Sequence, residues 1–247
     1  MPARRPVRND SLTVSTLTLV RHGQAAPFQQ ENAALTPTGE AQAEKLAEFW
    51  LRNKVRFDEV LCGTLPRQMR TEQVVAARFR AAGQPWPASQ SDGSWNEYDA
   101  TGVLRHLVPA DPRLSALAAE FEQAHSGPDE NRRFQHLFEA AMHCWLEGAM
   151  ETNGVEPWRA FRDRVSGAIR RIMEGPSSRR VVVFTSGGPI GFAVHCAIQA
   201  PAKSFLDVNW RVRNCSVTEF VFDRRRFTLD SFNCIPHIEA AALRTYR

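Results

Sequence analysis

The sequence predicts an α/β domain of three layers, in which a mainly parallel central sheet carries helices on both faces. Short apolar segments alternate with longer amphipathic segments through most of the chain. One apolar run, 181–184, is continuous and bounded by polar residues, as in a parallel strand buried on both faces. Two short β-like segments flank residues 223–226 and predict a C-terminal antiparallel hairpin.

The first part of the chain contains two strand–helix units. In order, the predicted elements are a strand at 16–20, a helix from 36 to about 52, a strand at 57–62 and a helix over about 68–82. Thr36-Pro37 marks the first helix start, because Thr caps a helix N-terminus and Pro fits the first helical position. Residues 83–94 are rich in Pro, Gly and Ser and predict a loop or a short extended segment.

The second part begins with residues 99–155, the least regular region, which predicts a helical insertion. Within it, 114–121 and 134–149 have helical patterns separated by a Gly/Pro/Asp break near 127–129. Pro157 then begins a helix with an apolar face. The remaining predicted elements are a strand at 180–185, a helix at 190–199 and hairpin strands at 217–222 and 227–232.

The length of 247 residues suits one large domain. We expect residues 1–12 to form a flexible N-terminal arm and 13–247 to form a single domain that includes the insertion at about 99–155. Ser and Thr interrupt residues 11–20, which therefore do not fit the apolar region of a signal peptide. No window approaches the length of a membrane span.

Charge and cysteine content restrict the partners. The net charge of +4 is modest and fits either a weakly basic surface or attraction of an anionic substrate. Basic clusters are short and scattered, which argues against nucleic-acid binding. The five cysteines contain no CxxC pair, so we expect reduced thiols in a cytoplasmic protein and no metal site. They are Cys62, Cys144, Cys196, Cys215 and Cys234.

Polar residues follow several predicted strands, at the edge where open α/β sheets bind ligands. His22 ends the first strand, and a neutral imidazole attacks phosphorus when one ring nitrogen is held and the other is free. Arg21 and Arg67 supply planar guanidinium groups that match phosphate oxygens. We prefer Arg67 to Arg70 because Arg67 lies nearer the strand end.

Two further segments could complete an anion site. Glu97 follows Trp95 and precedes Tyr98, and apolar surroundings raise a carboxyl pKa so that the group can act as a general acid. Ser186 and Gly187 lie between a buried strand and a helix, where backbone N–H groups and the helix dipole attract anions. Each segment alone also fits an ordinary turn, cap or surface position.

Taken in order, these segments resemble the histidine phosphatase superfamily, the phosphoglycerate-mutase-like proteins. The matching segments are 19–23, 35–43, 65–71, 95–97 and the closing region at 214–217 and 236–237. The resemblance implies a transient phosphohistidine on His22, phosphoryl oxygens held by Arg21 and Arg67, and proton transfer by Glu97. It implies no metal and no cofactor.

One position departs from the family pattern. The family has His-Gly-Gly after the buried strand, where this chain has Ser186-Gly187-Gly188. A hydrogen bond to a charged group contributes roughly 1.5–3 kcal/mol, so its loss would lower the rate about 10- to 100-fold. Another histidine could take the place of the missing one, but His195 lies in an apolar helix, which favours a core position, and His237, beside a proline near the end, is also not favoured.

The expected function is therefore hydrolysis of a small phosphorylated metabolite or a phosphoprotein. A non-catalytic or weakly active phosphate-binding regulator is the alternative, because of Ser186. A phosphoglycerate mutase is less favoured, since the chain lacks the Asn- and Trp-bearing stretch that the mutases have after Arg-His-Gly. The insertion carries basic residues that either contact substrate or lie on the surface, namely Arg105, His106, Arg113, Arg132 and Arg133.

Overall fold

The computed structural model describes residues 14–26, 33–123, 128–148 and 154–246. The predicted N-terminal arm, 1–12, lies outside the described residues. The arm and the single-domain boundaries therefore stay predictions.

The described strands form one six-stranded sheet. In chain order they are β1 (Ser15–Arg21), β2 (Glu59–Cys62), β3 (Ser89–Ser91), β4 (Arg180–Thr185), β5 (Val217–Phe222) and β6 (Phe227–Cys234). Their spatial order is β3-β2-β4-β1-β5-β6. Strands β1 to β4 pair in parallel, and β5 pairs antiparallel with both β1 and β6. The predicted mainly parallel sheet and C-terminal hairpin are confirmed.

Eight α-helices lie in the same described ranges. They are α1 (Pro37–Arg52), α2 (Pro66–Ala81), α3 (Ala100–Ala110), α4 (Pro112–Glu122), α5 (Pro128–Leu146), α6 (Trp158–Glu174), α7 (Gly187–Ile198) and α8 (Ser204–Asn209). Helix α1 begins as predicted, with the Thr36 hydroxyl accepting a hydrogen bond of 3.1 Å from the Gly39 N–H.

Some helix boundaries differ from the sequence expectation. Helix α7 begins at Gly187 instead of 190, so that Pro189 lies inside the first turn. Proline is tolerated there because the first four N–H groups of a helix have no intrahelical partner. A proline can therefore occupy several positions of the first turn, and it does not identify the first helical residue. The described residues of the insertion contain three helices instead of the two predicted. Helix α3 was missed because its Gly102 and Pro109 are poor helix formers.

Helices cover both faces of the sheet, which confirms the three-layer prediction. Leu19 of β1 and Val183 of β4 belong to a core cluster that includes residues of α3 to α8. Val20 and Phe184, which point the other way, belong to a second cluster with residues of α1 and α2. All four side chains are fully buried, and each contributes roughly 1.5–3 kcal/mol to stability.

The parallel register brings three strand ends to one edge. Arg21 at the end of β1 is paired with Thr185 at the end of β4, and Cys62 at the end of β2 is paired with Phe184. The segments that follow these strands therefore meet beyond the carboxyl edge of the sheet, as expected for an open α/β fold.

None of the helices in the described part of the chain is long and apolar enough to cross a bilayer. The five cysteines all lie in described residues and are unpaired. The cytoplasmic location stays a prediction.

Candidate active site

His22 lies at the end of β1 with one ring nitrogen fixed. Its Nδ1 is 2.7 Å from the carbonyl oxygen of Gly23. A carbonyl oxygen only accepts hydrogen bonds, so Nδ1 carries the proton of the neutral ring and Nε2 keeps its lone pair. The Arg67 Nε donates to that Nε2 at 3.2 Å, which is consistent with this tautomer. The imidazole is thus held as a nucleophile needs to be.

The backbone around His22 is fastened to three other elements. Its N–H donates to the Thr185 carbonyl at 2.9 Å, and its carbonyl accepts from Asn214 Nδ2 at 3.2 Å. The next N–H, that of Gly23, donates to Thr71 Oγ1 at 3.0 Å. A Cβ on Gly23 would lie 2.5 Å from the Gly39 carbonyl oxygen, so only glycine permits this close approach of the turn to α1.

Two arginines flank the imidazole from different elements. Arg67 is in the first turn of α2, and the Thr71 hydroxyl that accepts from the Gly23 N–H also donates to the Arg67 carbonyl at 2.7 Å. Arg21, next to His22, donates from Nη1 to the Val212 carbonyl. Arg70 instead forms a bidentate ion pair with Glu40 on the exposed surface, with its Nε 2.6 Å from Oε1 and its Nη2 2.7 Å from Oε2. The structure therefore brings Arg67, not Arg70, to His22.

Glu97 faces the same pocket from the segment that follows β3. Both carboxylate oxygens accept the Gly188 N–H at 3.0 Å, at the start of α7. A Cβ on Gly188 would lie 2.0 Å from Glu97 Oε1, so the glycine makes room for the carboxylate. The helix N-terminus thus binds a carboxylate of this chain.

The segment that carries Glu97 is held by several hydrogen bonds. The Trp95 carbonyl accepts from Thr185 Oγ1 at 2.6 Å and from Gln68 Nε2 at 3.0 Å. From α6, Arg164 Nη1 donates to the Asn96 carbonyl at 2.8 Å. Glu97 is therefore positioned by groups from α2, β4 and α6.

A pocket of about 260 Å³ opens at this edge of the sheet. Arg21, His22, Arg67 and Glu97 all contribute to its lining. The structure thus brings together the two catalytic candidates and two of the four phosphate-binding candidates.

Ser186 and Gly187 are the two candidates that do not line this pocket. The Ser186 side chain is fully buried, and its hydroxyl accepts a hydrogen bond of 2.8 Å from Gln68 Nε2. The N–H at this helix start that is used within the site is that of Gly188, which donates to Glu97. Phosphate binding by Ser186 and Gly187 stays a prediction.

The other histidines and the basic residues of the insertion lie elsewhere. His195 is near the end of α7, and His237 is buried beside Phe49 of α1, with ring centroids 6.2 Å apart. Neither is part of the pocket lining. The same holds for the insertion's basic candidates, Arg105, His106, Arg113, Arg132 and Arg133. Contact of these five with a substrate in this pocket is therefore not supported: α3 and α5 turn other side chains toward the pocket, and no residue of α4 lines it.

The protonation states suit an acid and a nucleophile. Burial lowers the pKa of His22 well below its usual value, and the nearby charges of Arg67 and Arg21 lower it further. Burial raises the pKa of Glu97, against the opposing effects of the Gly188 N–H and of the two arginines. A neutral imidazole, a carboxyl group that can hold a proton and two guanidinium groups can bind an anionic phosphoryl group and transfer it.

Sequence reasoning missed residues that hold the site from a distance. Asn214 binds the His22 carbonyl and accepts from the Thr245 hydroxyl at 2.8 Å. Arg164 and Gln68 fasten the Glu97 segment. Gln68 and Asn214 lie in the segments 65–71 and 214–217 that resemble the family, but nothing in the local sequence indicates these contacts, and the same holds for Arg164. Among the described residues, no group of three or more His, Cys, Asp or Glu side chains could hold a metal ion.

Comparisons with known proteins identify the family and the fold. The sequence model of the histidine phosphatase superfamily (branch 1) matches residues 17–97 and 109–235. No curated protein sequence gives a match to the chain.

Solved structures share the fold at low sequence identity. A phosphoglycerate mutase from Bacillus anthracis superposes with a TM-score of 0.63 and 17% identity, over 91% of this chain and 95% of that chain. An alpha-ribazole phosphatase from Shigella flexneri gives 0.57 and 21%, over 89% and 96%. A phosphoserine phosphatase from Entamoeba histolytica gives 0.57 and 17%, over 91% and 99%. These likenesses concern the fold.

Proposed function

This chain belongs to the histidine phosphatase superfamily, and we propose that it hydrolyses phosphomonoesters through a phosphohistidine intermediate on His22. One observation carries the proposal. The Gly23 carbonyl holds Nδ1, so that the unprotonated Nε2 lies in an arginine-lined pocket, where its lone pair accepts a hydrogen bond from Arg67. The substrate is proposed to be a small phosphorylated metabolite or a phosphoprotein.

In the first step, the Nε2 lone pair of His22 attacks phosphorus and the ester P–O bond breaks. The leaving oxygen takes the proton of the Glu97 carboxyl group, which becomes a carboxylate. The products are the free alcohol and the phosphorylated imidazole. The ring keeps its Nδ1 proton, and the Gly23 carbonyl stabilises the resulting positive charge.

In the second step, the Glu97 carboxylate removes a proton from a water molecule. The water oxygen attacks phosphorus, the P–N bond breaks, and inorganic phosphate leaves. Glu97 is again protonated and His22 is again neutral. The same carboxyl group thus acts first as an acid and then as a base.

The arginines supply charge and position. Phosphoryl transfer depends mainly on orientation and on neutralising the phosphoryl oxygens. Without substrate, the Arg67 Nε donates to the nucleophilic nitrogen itself. A bound phosphoryl group, with charged oxygens, is the stronger acceptor, and its capture of Arg67 would release the lone pair for attack.

The direct test is to trap the intermediate. The full-length protein is mixed with a ³²P-labelled aryl phosphate and quenched in alkali within milliseconds. We expect label on His22 that survives alkali and is lost in acid, together with steady release of phosphate. Steady hydrolysis without any labelled protein would contradict the phosphohistidine route.

The pKa directions predict how the pH profile depends on the leaving group. Because burial lowers the pKa of His22, the acid side of kcat/KM should fall only well below pH 6.5. An alkoxide leaving group needs the proton of Glu97, whose pKa is raised. For an alkyl phosphate, kcat/KM should therefore fall as the pH rises through that pKa and Glu97 loses its proton. A nitrophenyl ester, whose leaving group needs no proton, should lack this alkaline fall.

The control for this profile is Glu97→Gln, which keeps an acceptor for the Gly188 N–H. It should lower alkyl phosphate hydrolysis about 10²- to 10⁴-fold and remove the alkaline fall. An alkaline fall of equal size with both esters, or one that persists in the variant, would show that Glu97 is not the acid.

A second candidate function is phosphate binding without turnover. It is favoured by Ser186, which stands where the family has a histidine and is buried against Gln68 instead of lining the pocket. Calorimetric binding of inorganic phosphate, combined with no hydrolysis of any tested ester, would establish it. A mutase is less favoured by the structure, because the described pocket lining has no further basic side chain for the carboxylate of a phosphoglycerate.

A further inference from the structure

The pocket extends from the catalytic groups onto a surface without charge. We call this surface the apolar wall and define it as Ala100, Leu104, Phe134, Phe138 and Trp210. It is built by α3, α5 and the residue that follows α8. Each of the five is only partly buried, so each keeps some surface that a ligand can cover.

Three aromatic rings of the apolar wall form a row. The ring centroids of Phe134 and Phe138 are 6.0 Å apart with planes 27° from parallel, and those of Phe138 and Trp210 are 6.2 Å apart. Behind the wall, Val103 of α3 and Trp145 of α5 are fully buried in the core. The row is therefore anchored on a packed core, and its shape does not depend on a bound ligand.

Charged groups are confined to the catalytic end of the pocket. Among the described lining residues, the ionisable groups other than the tyrosines are Arg21, His22, Arg67 and Glu97, which the proposed function already uses.

Two polar side chains of the lining are engaged within the protein. Asn209 Nδ2 donates to the Tyr98 hydroxyl at 2.9 Å, and Asn214 binds the His22 carbonyl at 3.2 Å. Apart from the four catalytic-end groups, the described part of the lining therefore offers no charged partner for a carboxylate, an ammonium group or a second phosphate on the alcohol part of a substrate.

We propose that the substrates are monophosphate esters of uncharged, largely apolar alcohols, whose aromatic or aliphatic part packs on the apolar wall. This inference rests on the proposed phosphatase function and names its substrate class. Apolar groups leave water favourably on such a wall, whereas a charge placed there would lose its hydration without gaining a partner. Once the ester is cleaved, the product alcohol leaves the wall and phosphate leaves the arginines.

The test compares esters that share a primary-alcohol leaving group. Using the full-length protein, kcat/KM is measured for ethyl, butyl, hexyl and 2-phenylethyl phosphate, and for phosphoserine and 3-phosphoglycerate. We expect kcat/KM to rise about fourfold for each CH₂ that is added and buried on the wall. We expect 2-phenylethyl phosphate to exceed phosphoserine by about 100-fold.

Variants then assign the preference to the apolar wall. Phe138→Ala should lower the ratio of kcat/KM between 2-phenylethyl and ethyl phosphate about tenfold. Leu104→Lys should raise the ratio between 3-phosphoglycerate and butyl phosphate, because it supplies a partner for the carboxylate. Phe49→Ala is the matched control: Phe49 is also partly buried but packs in the other core cluster, with α1, so both ratios should stay unchanged.

The outcomes separate this inference from the function on which it rests. A flat series, or phosphoserine hydrolysed as well as 2-phenylethyl phosphate in a His22-dependent reaction, would overturn the inference and leave the phosphatase function standing. If no ester is hydrolysed, including nitrophenyl phosphate, both proposals fail. A preference for apolar esters that Phe138→Ala and Leu104→Lys leave unchanged would also overturn the role of the wall.

Discussion

Replacement of His22 by Asn is expected to lower kcat for any phosphomonoester by at least about 10³-fold, because the attacking nitrogen is lost. Asn is the sharpest choice, since its Nδ2 can still donate to the Gly23 carbonyl that binds His22 Nδ1. The backbone bonds of residue 22 to Thr185 and Asn214 are also preserved. The readouts are phosphate release and labelled phosphoenzyme, and both should be lost together.

The controls for this variant are its affinity for inorganic phosphate and its melting temperature, which show that it is folded and keeps its binding pocket. Arg21 and Arg67 remain in His22→Asn, so inorganic phosphate should bind within a fewfold of the wild-type affinity. The melting temperature should be nearly unchanged, because the pKa of His22 is lowered and the ring is neutral near neutral pH in the wild type. Hydrolysis that survives the substitution at more than a tenth of the wild-type rate would rule out His22 as the nucleophile.

The catalytic candidates could be predicted because the carboxyl ends of parallel strands lie at the same edge of the sheet. His22 and Arg67 follow β1 and β2, and these strands are joined through β4, so their ends meet at one edge. A reader of the sequence can infer this from the alternation of strands and helices alone. Glu97 follows the short edge strand β3 and reaches the same place. The rule concerns backbone topology, and it places residues near a site without giving the contacts of their side chains.

The environment of Ser186 is an example of side-chain contacts that backbone topology does not predict. Its hydroxyl binds Gln68, 118 positions away in the chain, and both side chains are fully buried and do not line the pocket. Nothing in the local sequence of Ser186-Gly187-Gly188 indicates that the Gly188 N–H is used by Glu97 instead of being left for a ligand. Three-dimensional packing determines which groups pair in a buried hydrogen-bond network, so these pairs cannot be inferred from a single sequence.

In the insertion, too, the sequence does not show which side chains face the pocket. From the sequence, its basic residues fit either substrate contacts or surface positions, because charge alone does not give the direction of a side chain. Helices α3 and α5 instead turn Leu104, Phe134 and Phe138 toward the pocket. Apolar residues at helical spacing usually indicate a core face, and a pocket wall has the same pattern. Only the packed structure distinguishes the two.

Substitution of Arg67 is the second change expected to have a large effect. Arg67→Ala removes one of the two guanidinium groups that line the pocket and that we propose bind the phosphoryl oxygens, so kcat/KM should fall about 10²- to 10³-fold. Arg67→Lys keeps a positive charge but loses the planar pair of donors, and its rate should lie between those of Ala and wild type. The measurement is kcat/KM for nitrophenyl phosphate together with the dissociation constant of inorganic phosphate.

The neighbouring Arg70 offers a matched control on the same helix. Arg70 pairs with Glu40 on the exposed surface, so Arg70→Ala should leave kcat/KM within about twofold and change stability by less than about 1 kcal/mol. Since Arg67 also donates to His22 Nε2, its removal should raise the pKa of His22 and move the acid fall of kcat/KM to higher pH. A variant Arg67→Ala that loses activity without this shift would mean that Arg67 acts on the phosphoryl group alone. A loss of equal size in Arg70→Ala would mean that the helix start as a whole, and not the guanidinium at position 67, orients the phosphate.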